Sequence, residues 1–182
     1  MARQYLQDSG PVEPAITDPL SANVATTAVG MWNSQQYTPI FAYDPRPGKV
    51  YVVEAGGLIT TAATGALTIS PSISTTNAAG TTLGASIAQT VPASSLSGPW
   101  YLRMILVVLG TGAPGGANAT IKGTGIFHSG GVAATANSGL TVPFGGTSAA
   151  FDHSVNQTIW ISKTLSVAGS FTTQYALIYS YN

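Results

Sequence analysis

Trp100-Tyr101-Leu102-Arg103-Met104-Ile105-Leu106-Val107-Val108-Leu109 decides how this chain folds. Strand side chains alternate between faces. One face then carries Trp100, Leu102, Met104, Leu106 and Val108, and the other Tyr101, Arg103, Ile105, Val107 and Leu109. Apart from Arg103 both faces are apolar, so the strand should be covered on both sides. A small sandwich covers one face of each sheet. The second face then requires a loop, an arm or a partner subunit.

Working outward, the chain reads as strands between turn clusters. On the N-terminal side, 37–43 is aromatic and β-branched, with Pro39 pointing to an edge position. Asp44-Pro45-Arg46-Pro47-Gly48 signals a turn. Strands are expected over 49–55, closed by Gly56-Gly57, over 66–73 and over 82–91, with a break across 92–99. On the C-terminal side, 110–119 is a glycine-dense loop, 120–128 a strand, and 130–146 loop-like. Residues 157–165 place Ile159, Ile161 and Leu165 on one side. The last strand, 171–181, carries Phe171, Thr173, Tyr175, Leu177, Tyr179 and Tyr181 on one face.

No segment sustains a helical period, no repeat of fixed length recurs, and no Gly-X-Y tract occurs. The pattern predicts an all-β fold, an antiparallel β-sandwich or jelly roll over 22–182. Residues 1–21 hold Pro11, Pro14 and Pro19 with little apolar periodicity and read as an extended N-terminal arm. Residues 22–29 are β-compatible. Tyr5, Leu6, Val12, Ile16 and Leu20 give the arm apolar anchors for docking on a neighbour.

Composition narrows the class. The 182 residues suffice for one domain with a core. The chain has no cysteine, so disulfides and thiolate metal sites are excluded. The first eight residues lack the apolar run of a secretory signal, and the apolar run from Met104 to Leu109 is too short to span a bilayer. The expectation is a soluble protein folded in a cytoplasm, with no membrane partner. Only 7% of residues are charged and the net charge is zero. Such a surface favours association over a monomeric life. Asp8, Glu13 and Asp18 make the arm mildly acidic, which argues against a nucleic-acid partner.

Motifs for chemistry are weak. Gly110-Thr111-Gly112-Ala113-Pro114-Gly115 has the spacing of a dinucleotide-binding loop. It leads into a strand, not a helix, and no acid follows about 20 residues on. His128 and His153 lack metal-ligand spacing. Asp152 and His153 are adjacent and would point to opposite faces of a strand, and no nucleophile elbow is present. Outside the arm the acids are Asp44, in a turn, Glu54, ending a strand, and Asp152. They offer no evident pair for glycoside hydrolysis. The chain is therefore read as non-enzymatic, without cofactor or metal. Trp32, Trp100, Trp160 and the C-terminal tyrosines could form a sugar platform, with core or interface packing the preferred role.

Several stretches carry a resemblance. Residues 55–69, Ala55-Gly56-Gly57-Leu58-Ile59-Thr60-Thr61-Ala62-Ala63-Thr64-Gly65-Ala66-Leu67-Thr68-Ile69, resemble a segment of tailed-phage capsid decoration (cement) proteins. So do Leu83-Gly84-Ala85-Ser86, Gln89-Thr90-Val91-Pro92-Ala93 and Gly98-Pro99-Trp100. The likeness spans the organisation of about 30–182 and lies in turn and strand patterns. It implies a jelly-roll or tumour-necrosis-factor-like sandwich, a homotrimer bound to the major capsid protein on the virion surface. On this reading Ile105, Val107, Phe171, Tyr175, Leu177 and Tyr179 line the trimer interface, and Tyr5, Leu6, Val12 and Ile16 dock the arm on the capsid. The alternative is a receptor- or glycan-binding head of a tail or fibre protein. It would need aromatics in the loops 110–119 and 130–146, where Phe144 stands alone.

Overall fold

The computed structural model describes residues 3–5, 19–20, 29–30, 39–76, 80–91, 94–129 and 140–181. Every regular element in them is a strand: β1 (Arg3–Tyr5), β2 (Pro19–Leu20), β3 (Val29–Gly30), β4 (Pro39–Ile40), β5 (Val50–Thr61), β6 (Gly65–Ser74), β7 (Thr81–Thr82), β8 (Gln89–Val91), β9 (Ser94–Gly110), β10 (Ala119–Ser129), β11 (Leu140–Phe151), β12 (Gln157–Leu165) and β13 (Gly169–Tyr181). The fold is all-β. One sheet runs β1-β13-β5-β9-β10-β11, with β2 also on β13. The other runs β3-β12-β6-β7, with β4 also on β12 and β8 on β6. All pairings are antiparallel, and the sheets pack as a sandwich.

The core follows from alternation. In β9 the Trp100, Leu102, Met104, Leu106 and Val108 face is buried. Tyr51, Val53, Ala55, Ile121, Phe127 and Ile178 join it from flanking strands, and Leu67, Ile69, Ile73, Ile159, Ile161 and Leu165 meet it from the second sheet. Trp100 stacks on Phe127 with ring centroids 5.7 Å apart. Side chains of this kind contribute about 1.5–3 kcal/mol each when fully buried. The second face of β9, by contrast, is not covered throughout: Arg103, Ile105 and Leu109 are exposed.

Several strand limits depart from the sequence reading. Gly56-Gly57 does not close a strand, and β5 continues to Thr61. The Tyr175 ring lies on Gly56, where a Cβ would fall 2.6 Å from Tyr175 Cε1. The aromatic thus covers the gap that the missing side chain leaves. Residues 94–99 do not break the chain, because β9 begins at Ser94. Pairing between β9 and β10 stops at Trp100 and Ser129, so Pro99 is laddered only to Leu58 among the described residues. Proline tolerates that edge-like setting. Within 130–146, residues 140–146 belong to β11, and Val142 and Phe144 enter the core. The glycines that looked like loop, Gly145 and Gly146 (φ 92° and 94°), form a bulge where β11 has an extra residue opposite Gly123. In 82–91 only the ends pair as β7 and β8. Between them Leu83 enters the core and the Ser86 hydroxyl accepts from Ile69 N at 2.8 Å.

The largest correction concerns β13. Its register against β5 slips between Thr173, opposite Gly57, and Tyr175, opposite Gly56. Gln174 is the extra residue. Before the slip the odd positions share the core parity of Thr173, which is buried; after it they point outward. Phe171, opposite Ile59, therefore holds a register position on the other face from Tyr175, Leu177, Tyr179 and Tyr181. The expected single stripe is split.

Two pieces of the N-terminal arm are described, and both pair with this same chain. Arg3–Tyr5 lies against Tyr181–Tyr179, and Pro19–Leu20 against Thr172–Phe171. Tyr5 is thus at the sheet margin, opposite Tyr179. Leu6, Val12 and Ile16 lie outside the described residues, as do Trp32 and most of 22–29.

Candidate functional site

Four registers cross the outer face of the larger sheet from β13 through β5 and β9 to β10. They read Tyr175–Gly56–Tyr101–His128, Leu177–Glu54–Arg103–Ile126, Tyr179–Val52–Ile105–Thr124 and Tyr181–Val50–Val107–Lys122. Ile105, Val107, Tyr175, Leu177 and Tyr179 of the expected interface are brought together here, and Phe171 is not. Tyr175 and Ile105 are each 41% exposed and Ile126 45%, while Val52 and Tyr179 are buried among their neighbours.

Glu54 stands at the centre. The sequence placed it at a strand end, but it lies within β5. Its carboxylate accepts a hydrogen bond from the Tyr179 hydroxyl at 2.7 Å and pairs with Arg103 Nε at 3.4 Å. Tyr179 meets Tyr181 edge-on, ring centroids 5.7 Å apart. Desolvation, and secondly the negative charge of Glu54, raises the pKa of the Tyr101 and Tyr175 phenols. The face is therefore aromatic and aliphatic around one carboxylate whose charge is already answered. Burying such a face leaves no uncompensated ion. Tyrosine and arginine are also the residues that dominate binding energy at interfaces.

The other acids among the described residues, Asp44 and Asp152, serve the fold. Asp44 accepts from the buried Tyr51 hydroxyl at 2.8 Å and pairs with the Lys49 ammonium, which lies 5.5 Å from the Tyr51 ring centroid. Burial, then the bond to Asp44, pushes the Tyr51 phenol far up. Asp152 accepts from the hydroxyl and backbone N–H of Ser154, at 2.6 and 2.9 Å, and these bonds hold its carboxyl below the usual range. His128 contacts the Thr141 hydroxyl at 2.9 Å, and His153 is buried in the β11–β12 loop. Among the described residues no group of three His, Cys, Asp or Glu could hold a metal ion, and no helix is long and apolar enough to cross a membrane.

One functional-looking residue escaped the sequence reading. Lys163 is 1% exposed and occupies the core parity of β12, between Ile161 and Leu165. Burial lowers its ammonium pKa to about 8. The signal was present as a lysine inside an apolar alternation.

No protein-family model, no curated protein and no solved structure matches this chain.

Proposed function

We propose that this chain is a non-enzymatic structural protein of a virus particle, a homotrimer that decorates the outer surface of a tailed-phage capsid. The observation that carries self-association is the partly exposed aromatic and aliphatic face around Glu54, with Ile105, Val107, Tyr175, Leu177 and Tyr179. A charge content of 7% supports it, since few surface charges oppose contact between copies. The capsid as partner rests on the sequence resemblance in 55–69, 83–86, 89–93 and 98–100. In this role each copy adds contact area across neighbouring capsid subunits, and stability comes from summed burial without a reaction.

Light scattering on the purified protein at micromolar concentration tests the association, and a monomeric mass would refute it. Immunogold labelling of particles tests the location. Label over heads is expected; label at tail tips, or none, would overturn the decoration role.

A further inference from the structure

At the end of the sandwich where β4 gives way to β5, the loops 41–49, 110–118 and 152–156 meet. Tyr43 N donates to His153 O at 2.7 Å, Ala42 N to Asn156 Oδ1 at 2.9 Å, and Gly115 N to the Ser154 hydroxyl at 3.1 Å. Two aromatic rings stand out from this junction: Phe41 is 49% exposed and Tyr43 60%. Their display is built. Tyr43 has φ 61°, in the left-handed region that bulky side chains avoid. Asp44 N donates to Phe41 O at 3.2 Å and closes the turn. The buried His153 ring meets Tyr43 edge-on, at 5.9 Å and 88°. A strained aromatic fixed outward by its surroundings fits a ligand clamp better than a folding role, since the ring gains little burial.

We infer that Phe41 and Tyr43 form a binding platform for a neutral saccharide. The C–H face of a sugar ring is apolar and slightly electropositive, and it matches the electron-rich face of an aromatic ring. Its hydroxyls need donors and acceptors near that ring, and the two neighbouring loops offer the Asn156 amide N–H2, the Asn118 amide oxygen and the Thr111 hydroxyl, the Ser154 hydroxyl being committed to Asp152 and Gly115. The cations in these loops are Arg46 and Lys49, and Lys49 is committed to Asp44. A phosphate or nucleic-acid ligand would need more positive charge. Two rings on a polar rim also fall well short of the roughly 800 Å² that a stable protein partner covers. The sequence reading required aromatics for such a role in 110–119 and 130–146 and found Phe144 alone. The fold instead supplies them from 41–43, held against the 152–156 loop that the 110–118 loop also meets.

Neither Phe41 nor Tyr43 belongs to the strand registers of the Glu54 face, so the inference does not rest on the trimer. The test is titration of the full chain with cellohexaose, maltohexaose, mannohexaose and the hexamer of β-1,4-linked N-acetylglucosamine, read by saturation-transfer NMR. Saturable binding of at least one probe is expected. It should weaken about tenfold or more in Tyr43→Gly and in Phe41→Ala. Tyr43→Gly removes the ring at a backbone angle that glycine adopts without strain, so the fold is kept. Tyr175→Ala, on the Glu54 face, should bind as the parent does. Failure of all four probes to bind, or equal binding by Tyr43→Gly, would overturn the inference. The native mass of the same samples reports separately on the trimer.

Discussion

The outward positions of β6 and β12 are Thr68, Ser70, Ser72 and Ser74 beside Thr164, Ser162, Trp160 and Thr158. The outward positions of β13, β5 and β9 are tyrosine, leucine, valine and isoleucine around Glu54. Both sheets bury aliphatic residues inward, yet their outer faces are opposite in chemistry. The hydroxyl face satisfies itself locally. Ser162 donates to Ser70 O at 3.1 Å and Ser72 to Trp160 O at 3.3 Å. Such a face is neutral without being apolar, and with Ser72, Thr158 and Ser162 already buried within the chain it has little to gain from a partner. The tyrosine face has its single carboxylate neutralised and much carbon left in contact with water, which is the condition under which association is favourable.

The sharpest break of this contrast is Ile105→Asp, which puts a second acid beside Glu54 on the apolar face. The proposed trimer should fall to monomer mass by light scattering, with association weakened about a hundredfold or more. Thr68→Asp, the matching change on the hydroxyl face, should leave the mass unchanged. Equal effects from the two would erase the distinction.

A second prediction probes the inner side of the hydroxyl-faced sheet. Lys163 has a folded pKa of about 8, below that of the unfolded chain, so between those values the unfolded state binds more protons. Stability should therefore rise from pH 7 to 9.5, by about 2 kcal/mol, as the buried charge is lost. Above pH 10 the sign reverses, because unfolded Tyr51 ionises while the folded phenol stays protonated. Urea titrations across this range should show the rise in the parent and lose it in Lys163→Met.

Glu54→Gln sharpens the account of the tyrosine face. It leaves Arg103 unpaired, and the loss of one charged partner at this half-exposed pair should cost about 1 kcal/mol or less. Removing the negative charge should also lower the Tyr101 and Tyr175 pKa values, so phenolate absorbance appears at lower pH than in the parent. An effect of the same size, about 1 kcal/mol in urea unfolding, is expected for Ser162→Ala, because it removes one neutral hydrogen bond.

Alternation made the core of β9 and β12 legible, since a residue's neighbours in sequence decide which side of a strand it takes. It failed at β13, where the slip at Gln174 reversed parity midway. A bulge is set by pairing with a neighbouring strand, and here Gly56 beneath Tyr175 accompanies it. Proline and glycine misled at 56–57, 94–99 and 140–146 for a related reason. Their local cost is real, but a ladder with a suitable gap, end or bulge absorbs it. Lys163 was passed over because a charged residue in a strand is ordinarily read as solvent-facing, while its parity placed it inside.

The sequence by itself determined an all-β chain, poor in charge, with strands that hide one apolar face and retain another. Those are properties of composition and of period two, and both are local. Only the tertiary structure decided which apolar residues became the outer face, that Glu54 sits among Tyr101, Tyr175, Tyr179 and Arg103, and that the segment carrying Phe41 and Tyr43 is held against a loop more than a hundred residues on. These depend on strand order and register, which are fixed by hydrogen bonds between segments distant in the chain.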